Sequence, residues 1–143
     1  MNDLLVILDI GGRSAAIAAV DVQSVIELED IYPVPMAPDF VVGLAALRSQ
    51  SLTVIDARKA IGLPDAGAAG ERAVVVEVGG HQYALQVDAV HDVTEAQSDI
   101  KPVPGGFGTL WECVAEGMVE TGAGPTLLIK KEALVAGTEA LAA

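Results

Sequence analysis

The sequence predicts a mostly β protein made of two small, related β-barrels with few helices. Three observations support this: a repeat that relates the two halves of the chain, a glycine pair at the same place in each copy, and an apolar content built from small side chains. Hydrophobic residues make up 52% of the 143 residues, whereas aromatic residues make up only 3%. Val, Leu, Ile and Ala must therefore build the core, and such side chains suit narrow, tightly curved β structure. A chain of this length can bury roughly two thirds of its unfolded surface.

The repeat is most visible in two short segments, EDIYPVP at 29–35 and SDIKPVP at 98–104. When Gly11-Gly12 is aligned with Gly79-Gly80, apolar positions agree along both halves up to these prolines, with one extra residue in the second copy. Solenoid proteins need three or more copies of a shorter unit. Two long copies instead indicate two sister lobes.

Each copy reads in order as strand, Gly-Gly turn, strand, short connection, strand, turn, strand and a brief helical end. The strand predictions rest on runs of β-branched residues bounded by Gly, Pro and Asp. The glycine pairs suit two-residue hairpins, which require positive φ angles. After the prolines a weaker match continues, and it places Gly43 opposite Gly117 and Asp56 opposite Lys130. Four or five short strands per half predict two small barrels.

Helices are expected only in short segments. The sequence DARKAIGLP predicts one, with Asp56 as its N-cap, Gly62 at its C-terminal end and Pro64 beyond. The tail KKEALVAGTEALAA, residues 130–143, permits a helix through its Ala, Leu and Glu content.

The boundary between the two copies is predicted in DAGAAGE, residues 65–71, where small residues separate two apolar blocks. The approximate lobes are therefore residues 1–65 and 71–143 of a single domain that spans 1–143. An exchange of strands between the lobes is left open.

The charge of the chain excludes some classes of partner. Eight Lys and Arg against 20 Asp and Glu give a net charge of −12. No basic stripe exists to displace the counterions of nucleic acid, and anionic membrane surfaces are disfavoured for the same reason. Solubility is the simplest reason for an acidic excess, and a basic partner remains open.

The sequence also bears on location. No run approaches the roughly 20 apolar residues of a membrane-spanning helix, so direct membrane insertion is not expected. The N-terminus, MNDLLVILDIGG, is unlike a signal peptide. Cys113 is the only cysteine, so no intramolecular disulfide is possible. These features predict a cytoplasmic protein.

Residues that could support catalysis or metal binding are few. His81 and His91 form no recognised ligand motif, and Cys113 beside Trp111 suits core filling. GGFG at 105–108 lacks the lysine and framework of a phosphate loop. The acidic residues at 27, 29 and 30 lack the spacing of a calcium loop. The sequence therefore predicts no enzyme activity, no metal and no cofactor.

A specific resemblance appears in the run IYPVPMAPDFVVGLAALRSQSLTVIDAR, residues 31–58. It resembles the CheW-like chemotaxis coupling proteins, whose pattern it matches at Pro35, Ala37, Pro38, Gly43, Leu47, Arg48, Asp56 and Arg58. QVDAVHDV, residues 86–93, and the following DIKPVP resemble the second half of the family pattern. The resemblance covers nearly the whole chain.

This resemblance implies two five-stranded, SH3-like β-barrels that meet across a groove. It also implies a non-enzymatic adaptor that bridges the signalling hairpin of chemoreceptors to the regulatory domain of a histidine kinase. Pairing with other CheW-like domains, and a cytoplasmic location at membrane-associated receptor arrays, follow from the same resemblance.

By family position, the receptor-binding residues would be Val22, Val25, Gly43 and Arg48, with Val90 and Val93 as the matching positions of the second half. A helical hairpin docks by placing apolar side chains in an apolar groove, which agrees with the valines. Two simpler interpretations stay open: the valines are ordinary core residues, and Arg48 is a surface arginine beside a turn. Kinase-binding residues are not predicted.

Three residues depart from the family pattern: Ala46 stands where Asn is usual, Ser49 where Gly is usual, and Ala57 where Leu is usual. These departures bear on binding strength more than on fold. Two other functions stay open beside the coupling adaptor. One is a stand-alone regulatory module that pairs with a kinase or another CheW-like domain without normal receptor coupling. The other is a small-molecule-binding module that uses the groove between the lobes.

Overall fold

The structure is a computed structural model that describes residues 4–36, 40–47, 50–61, 71–103, 109–122 and 124–135. Within these ranges the chain forms ten strands: β1 Leu4–Ile10, β2 Arg13–Ala18, β3 Val22–Glu27, β4 Val41–Leu47, β5 Gln50–Asp56, β6 Arg72–Val78, β7 His81–Gln86, β8 Ala89–Glu95, β9 Ala115–Thr121 and β10 Gly124–Ile129. The helices are short: a 3₁₀ turn Ala19–Asp21, α1 Ala57–Ile61, α2 Thr109–Val114 and α3 Lys131–Val135.

The strands form two five-stranded sheets. The terminal sheet, which contains the first and last strands, has the order β8-β1-β2-β10-β9, and the middle sheet has the order β3-β6-β7-β5-β4. Exchanging each strand for its counterpart five places along the chain converts one order into the other. The prediction of a mostly β protein with two repeat-related, five-stranded lobes is confirmed.

Each sheet takes strands from both halves of the chain. The third strand of each half pairs with the first strand of the other half, so β3 pairs with β6 and β8 pairs with β1. We call the two units the terminal lobe and the middle lobe after their sheets. Most of the predicted linker lies in residues 62–70, outside the described residues, so the lobe bounds 1–65 and 71–143 stay a prediction.

The glycine pairs form the tips of two equivalent hairpins. Gly11 and Gly12, between β1 and β2, have φ angles of 60° and 84°. Gly79 and Gly80, between β6 and β7, have 60° and 83°. Two successive positive φ angles are strained for residues with a Cβ but not for glycine, so these pairs fix both hairpin turns. The sequence prediction for these turns is confirmed.

The buried side chains form one large core and two smaller ones. The large core, which we call the central core, joins one face of each sheet, with Leu8 and Ile17 from the terminal sheet and Val74 and Leu85 from the middle sheet. The other face of each sheet encloses a core of its own. The middle lobe's own core consists of Leu28, Ala45, Leu52, Val54, Ala73, Val75 and Ala84. The terminal lobe's own core consists of Leu5, Ile7, Ala16, Ala96, Val119 and Leu128.

Helix α1 begins where the sequence predicts. The Asp56 carboxylate accepts hydrogen bonds from the backbone N–H groups of Arg58, at 3.0 Å, and Lys59, at 3.4 Å, which is the geometry of an N-cap. The predicted end of this helix, at Gly62 and Pro64, lies outside the described residues. The structure also contains α2, which the sequence analysis did not predict, and its Trp111 is buried in the central core.

Among the described residues, no helix has the length and apolar character needed to cross a membrane.

Candidate protein-interaction surface

The four predicted valines lie at matching positions on the third strand of each half. Val22 and Val25 belong to β3, an edge strand of the middle sheet, and Val90 and Val93 belong to β8, an edge strand of the terminal sheet. Val22 and Val90 are half-buried and pack against the central core. Val25 and Val93 are 39% and 56% exposed. The core interpretation therefore describes the first valine of each pair but not the second.

A β-bulge turns both valines of a pair towards the same side. Val22 lies opposite Val76 and Val25 lies opposite Val74, so three steps along β3 match two steps along β6. Without the extra residue, positions three apart would point to opposite faces of a strand. Val74 and Val76 both point into the central core. Each exposed valine therefore lies on the margin of the central core, beside a half-buried one.

The second half repeats this arrangement. Val90 lies opposite Leu8 and Val93 lies opposite Val6, again with three steps on one strand against two on the other. Both Val6 and Leu8 belong to the central core. The two valine pairs are thus equivalent in register, bulge and side. We call them together the valine surface.

Gly43 has a packing role that its counterpart in the second half shares. It is buried in β4 beneath Ile31 and Tyr32. A Cβ added at Gly43 would collide with the Tyr32 carbonyl oxygen and would come within 2.9 Å of Ile31 Cγ2. The equivalent Gly117 lies in the same way beneath Ile100 and Lys101.

The segments that cover these glycines contain the two most similar stretches of the repeat, EDIYPVP and SDIKPVP. We call residues 28–35 the first crossing segment and residues 96–103 the second. Tyr32 exchanges two backbone hydrogen bonds with Leu44, both 2.8 Å, and Lys101 exchanges two with Met118, also both 2.8 Å. Each crossing segment thus connects one edge strand of a sheet to the strand at its opposite edge. The repeated sequence therefore corresponds to the same connection in each lobe, from β3 to β4 and from β8 to β9.

The remaining predicted positions are only partly visible. Arg48 and Ser49 lie outside the described residues. Ala46 is exposed near the end of β4, and Ala57 is fully buried at the start of α1. Gly43 lies on β4, at the edge of the middle sheet opposite β3, so no strand pairing joins it to the valine surface.

The structure also contains a charged cluster that the sequence analysis missed. The buried Arg58 guanidinium lies 3.6 Å from the Asp56 carboxylate and 3.7 Å from that of Asp88. Asp88 in turn accepts a 2.5 Å hydrogen bond from the Gly11 backbone N–H. The cluster therefore joins α1 to the tip of the first hairpin. Arg58 and Asp88 are thirty residues apart, and although both lie in runs that match the family pattern, nothing in the sequence indicated that they pair.

The histidines lie at the surface. His81 is exposed at the start of β7, and His91 lies 2.8 Å from the Asp9 carboxylate. Within the described ranges, no three His, Cys, Asp or Glu side chains come close enough together to hold a metal ion. The side chain of Cys113 is not among those described.

Two repeat-related β lobes, each with an exposed valine on an edge strand, define a class of small β proteins suited to binding other proteins. A family model described as CheW-like domain matches residues 4–139. The chain belongs to the CheW-like domain family. A comparison with curated proteins found no match.

A solved structure agrees with this assignment. The crystal structure of the scaffolding protein TtCheW from Thermoanaerobacter tengcongensis superposes with a TM-score of 0.82 at 28% sequence identity. The match covers 94% of this chain and 92% of that one. The two proteins therefore share their fold over nearly their whole lengths.

Proposed function

We propose that this chain is a non-enzymatic adaptor that couples chemoreceptors to a chemotaxis histidine kinase within a signalling array. Membership of the CheW-like family and the likeness to a scaffolding protein support an adaptor role. The observation that carries the proposal is the valine surface, because it offers exposed apolar side chains in the same setting on both lobes.

The valine surface suits a helical partner. Val25 and Val93 are accessible, while Val22 and Val90 support them from the margin of the central core. A helical hairpin binds by laying an apolar face against such side chains. The bulges in β3 and β8 are needed for this, since they place each exposed valine on the same side as its half-buried partner. The expected occupant is the signalling hairpin of a chemoreceptor.

Arg48 is proposed to fix the orientation of that hairpin through a charge-assisted contact. Gly43 is proposed to contribute by letting its own strand, β4, pack closely against the first crossing segment. The regulatory domain of the kinase, and other CheW-like domains, are the further proposed partners. With these partners the protein would work in the cytoplasm, at receptor arrays attached to the membrane.

Cosedimentation with receptor signalling hairpins, with and without the kinase, tests the proposal. Val25→Asp and Val93→Asp should each remove most hairpin binding, because a carboxylate would have to lose its hydration in an apolar contact. Arg48→Ala should weaken hairpin binding by roughly 1–3 kcal/mol and should leave thermal stability nearly unchanged.

Met36→Asp is the matched control, because Met36 is 99% exposed and lies outside β3 and β8. Equal hairpin binding by the wild type, both valine variants and the control would contradict the proposal. Binding to the kinase regulatory domain without any binding to hairpins would favour the stand-alone regulatory module, in which the departures at Ala46, Ser49 and Ala57 have removed receptor coupling.

A further inference from the structure

The middle lobe contains a groove on the side of β3 that faces away from the valine surface. It lies between the end of β3, the start of the first crossing segment and the end of β4, and it encloses about 350 Å³. Its lining consists of Ile26, Glu27, Leu28, Glu29, Asp30, Tyr32, Ala45 and Ala46. All of these belong to the described residues.

One wall of the groove is an unpaired strand edge. Leu44 uses both its backbone N–H and its carbonyl to bond Tyr32 on the side of β4 that faces away from β5. In an antiparallel strand, alternate residues point their backbone groups to the same side, and no bulge interrupts β4 between Leu44 and Ala46. The N–H and carbonyl of Ala46 therefore face the groove. No hydrogen bond to them occurs within the described part of the chain. Such an edge is a template for another strand.

The terminal lobe shows what fits against this edge. Glu120 of β9 occupies the position that Ala46 has in β4, two residues beyond the crossing contact. Its carbonyl accepts a 2.7 Å hydrogen bond from the Gln97 backbone N–H, and its own N–H donates a 3.0 Å hydrogen bond to the Ser98 hydroxyl. In that lobe the chain itself supplies an N–H donor and an oxygen acceptor, so the edge is satisfied.

A difference of one residue explains why the middle lobe lacks these bonds. Four residues, Gln97 to Ile100, join Ala96 of the terminal lobe's core to the crossing contact at Lys101. Only three, Glu29 to Ile31, join Leu28 to the crossing contact at Tyr32 in the middle lobe. The shorter link carries no hydroxyl side chain. It leaves a space where the longer link would lie.

The charge and floor of the groove indicate the chemistry of an occupant. Leu28 and Ala45 are buried at its floor. Glu29 and Asp30 are exposed at its rim, and neither makes an ion pair or hydrogen bond to another described residue. Glu27 is 3.3 Å from Arg72, which offsets part of its charge. The rim therefore attracts a cationic segment, in agreement with the net charge of −12.

We infer that this groove binds an extended segment of a partner protein that carries Lys or Arg, by adding a strand to the edge of β4. The occupant's backbone hydrogen-bonds Ala46, its small or apolar side chains contact the floor, and its cationic side chains contact Glu29 and Asp30. The groove is separate from the valine surface, because Ile26 lies opposite Ala73 on the middle lobe's own core while Val25 lies opposite Val74 on the central core. The inference does not depend on the proposed receptor coupling.

The probe is a fluorescein-labelled peptide of alternating Lys and Val, about eight residues long so that it exceeds an ordinary strand. Two control peptides have the same length: one has Glu in place of Lys, and the other is N-methylated at alternate residues so that it cannot extend a sheet. Fluorescence anisotropy gives the affinity, and amide chemical shifts of the protein locate the peptide. We expect the Lys-Val peptide to bind and to shift the Ala46 amide, while both controls bind at least about tenfold more weakly.

The decisive variant copies the longer link of the terminal lobe: Glu29→Gln together with one serine inserted before Asp30. The chain should then occupy its own groove, and peptide affinity should fall by about tenfold or more. Glu29→Gln alone is the matched control for charge, and it should cost only about threefold, with the loss disappearing in high salt. Ala46→Pro tests the same edge without an insertion, because it removes the N–H donor at an edge strand where proline is tolerated.

Several results would overturn the inference. The N-methylated peptide binding as well as its parent would exclude strand addition, and unchanged affinity in both the insertion variant and Ala46→Pro would exclude this edge. Shifts confined to β8 and to Val22 and Val25 would place the peptide on the valine surface. Self-association that Ala46→Pro abolishes would assign the edge to a second copy of the chain.

Discussion

The two crossing segments start differently and end alike. Both are fixed to the opposite edge strand by a pair of 2.8 Å backbone hydrogen bonds, between Tyr32 and Leu44 in the middle lobe and between Lys101 and Met118 in the terminal lobe. The second segment makes two more bonds to β9, through Gln97 and Ser98, and the first makes none to the matching residue of β4.

This difference shows which parts of the repeat are constrained by packing. The matched glycines are held by close contacts, since a side chain at either place would collide with the segment above it. The three or four residues between each core and its crossing contact lie mostly at the surface, so their number can change without disturbing a core. A one-residue change there satisfies one sheet edge and leaves the other open. The lobes therefore share their fold but differ in the backbone groups that they offer to partners.

The charged contacts of helices α1 and α3 also differ between the two halves of the chain, here in burial. They give the largest expected change in stability. Arg58 of α1 is buried between Asp56 and Asp88, with a side-chain exposure of 7%. Lys131 at the start of α3 bonds the Glu77 carbonyl at 2.9 Å and lies 3.4 Å from Asp21, which is 40% exposed. Arg58→Ala should lower the free energy of unfolding by about 3 kcal/mol, because it leaves a buried carboxylate without its cation. Lys131→Ala should cost less than about 1 kcal/mol.

Chemical denaturation of both variants measures the two effects. Arg58→Lys serves as a control, since it keeps the charge but loses the planar group that spans two carboxylates, and it should lie between the wild type and Arg58→Ala. Equal losses of stability in Arg58→Ala and Lys131→Ala would contradict the expectation that the more buried contact contributes more.

The elements that could be predicted from the sequence are those set by local chemistry or by the repeat. The Gly-Gly hairpins follow from two positive φ angles, and the start of α1 follows from the carboxylate of Asp56. The exchange of β3 and β8 was left open because alternation fixes which face of a strand is buried but not which strand lies beside it. Helix α2 was missed because TLWECV lacks an evident cap or helical period, and burial of Trp111 stabilises it instead.

The candidate site, too, could be predicted from the sequence only in part. The valine positions could be named from the family pattern, but the sequence could not distinguish half-buried Val22 from exposed Val25. That distinction depends on the bulge and on the depth of the partner strand. The open edge at Ala46 could not be predicted either, because it depends on which backbone groups of β4 the first crossing segment leaves without a hydrogen bond. Long-range contacts such as that of Arg58 with Asp88 leave no local signal.

The next effect tests the close contacts beneath the crossing segments. Gly43→Ala should cost about 3 kcal/mol, near the upper end of overpacking, because the added Cβ meets the backbone oxygen and carbon of Tyr32. Gly117→Ala should cost about 2 kcal/mol, since its nearest obstacle is a side-chain methyl of Ile100 that can move, although the Lys101 carbonyl oxygen lies at 2.7 Å. Urea denaturation with unchanged m values would give both numbers. A larger loss at Gly117 would reverse the assignment of the more rigid contact.

The smallest expected effect concerns the extra link of the terminal lobe. Ser98→Ala removes the hydroxyl that accepts the Glu120 N–H, and it should lower the free energy of unfolding by about 0.5–1 kcal/mol, because water can reach this exposed site and replace part of the bond. Asp30→Ala, just before the crossing contact of the middle lobe, should change stability by less than about 0.5 kcal/mol, since Asp30 bonds no other described residue.

Hydrogen exchange of two backbone amides gives a second measurement of the same contrast. The Glu120 amide should exchange faster in Ser98→Ala than in the wild type. The Ala46 amide should exchange quickly in the wild type and no faster in Asp30→Ala. Slow exchange at Ala46 in the wild type would mean that its edge is already paired, and the contrast between the two lobes would then fail.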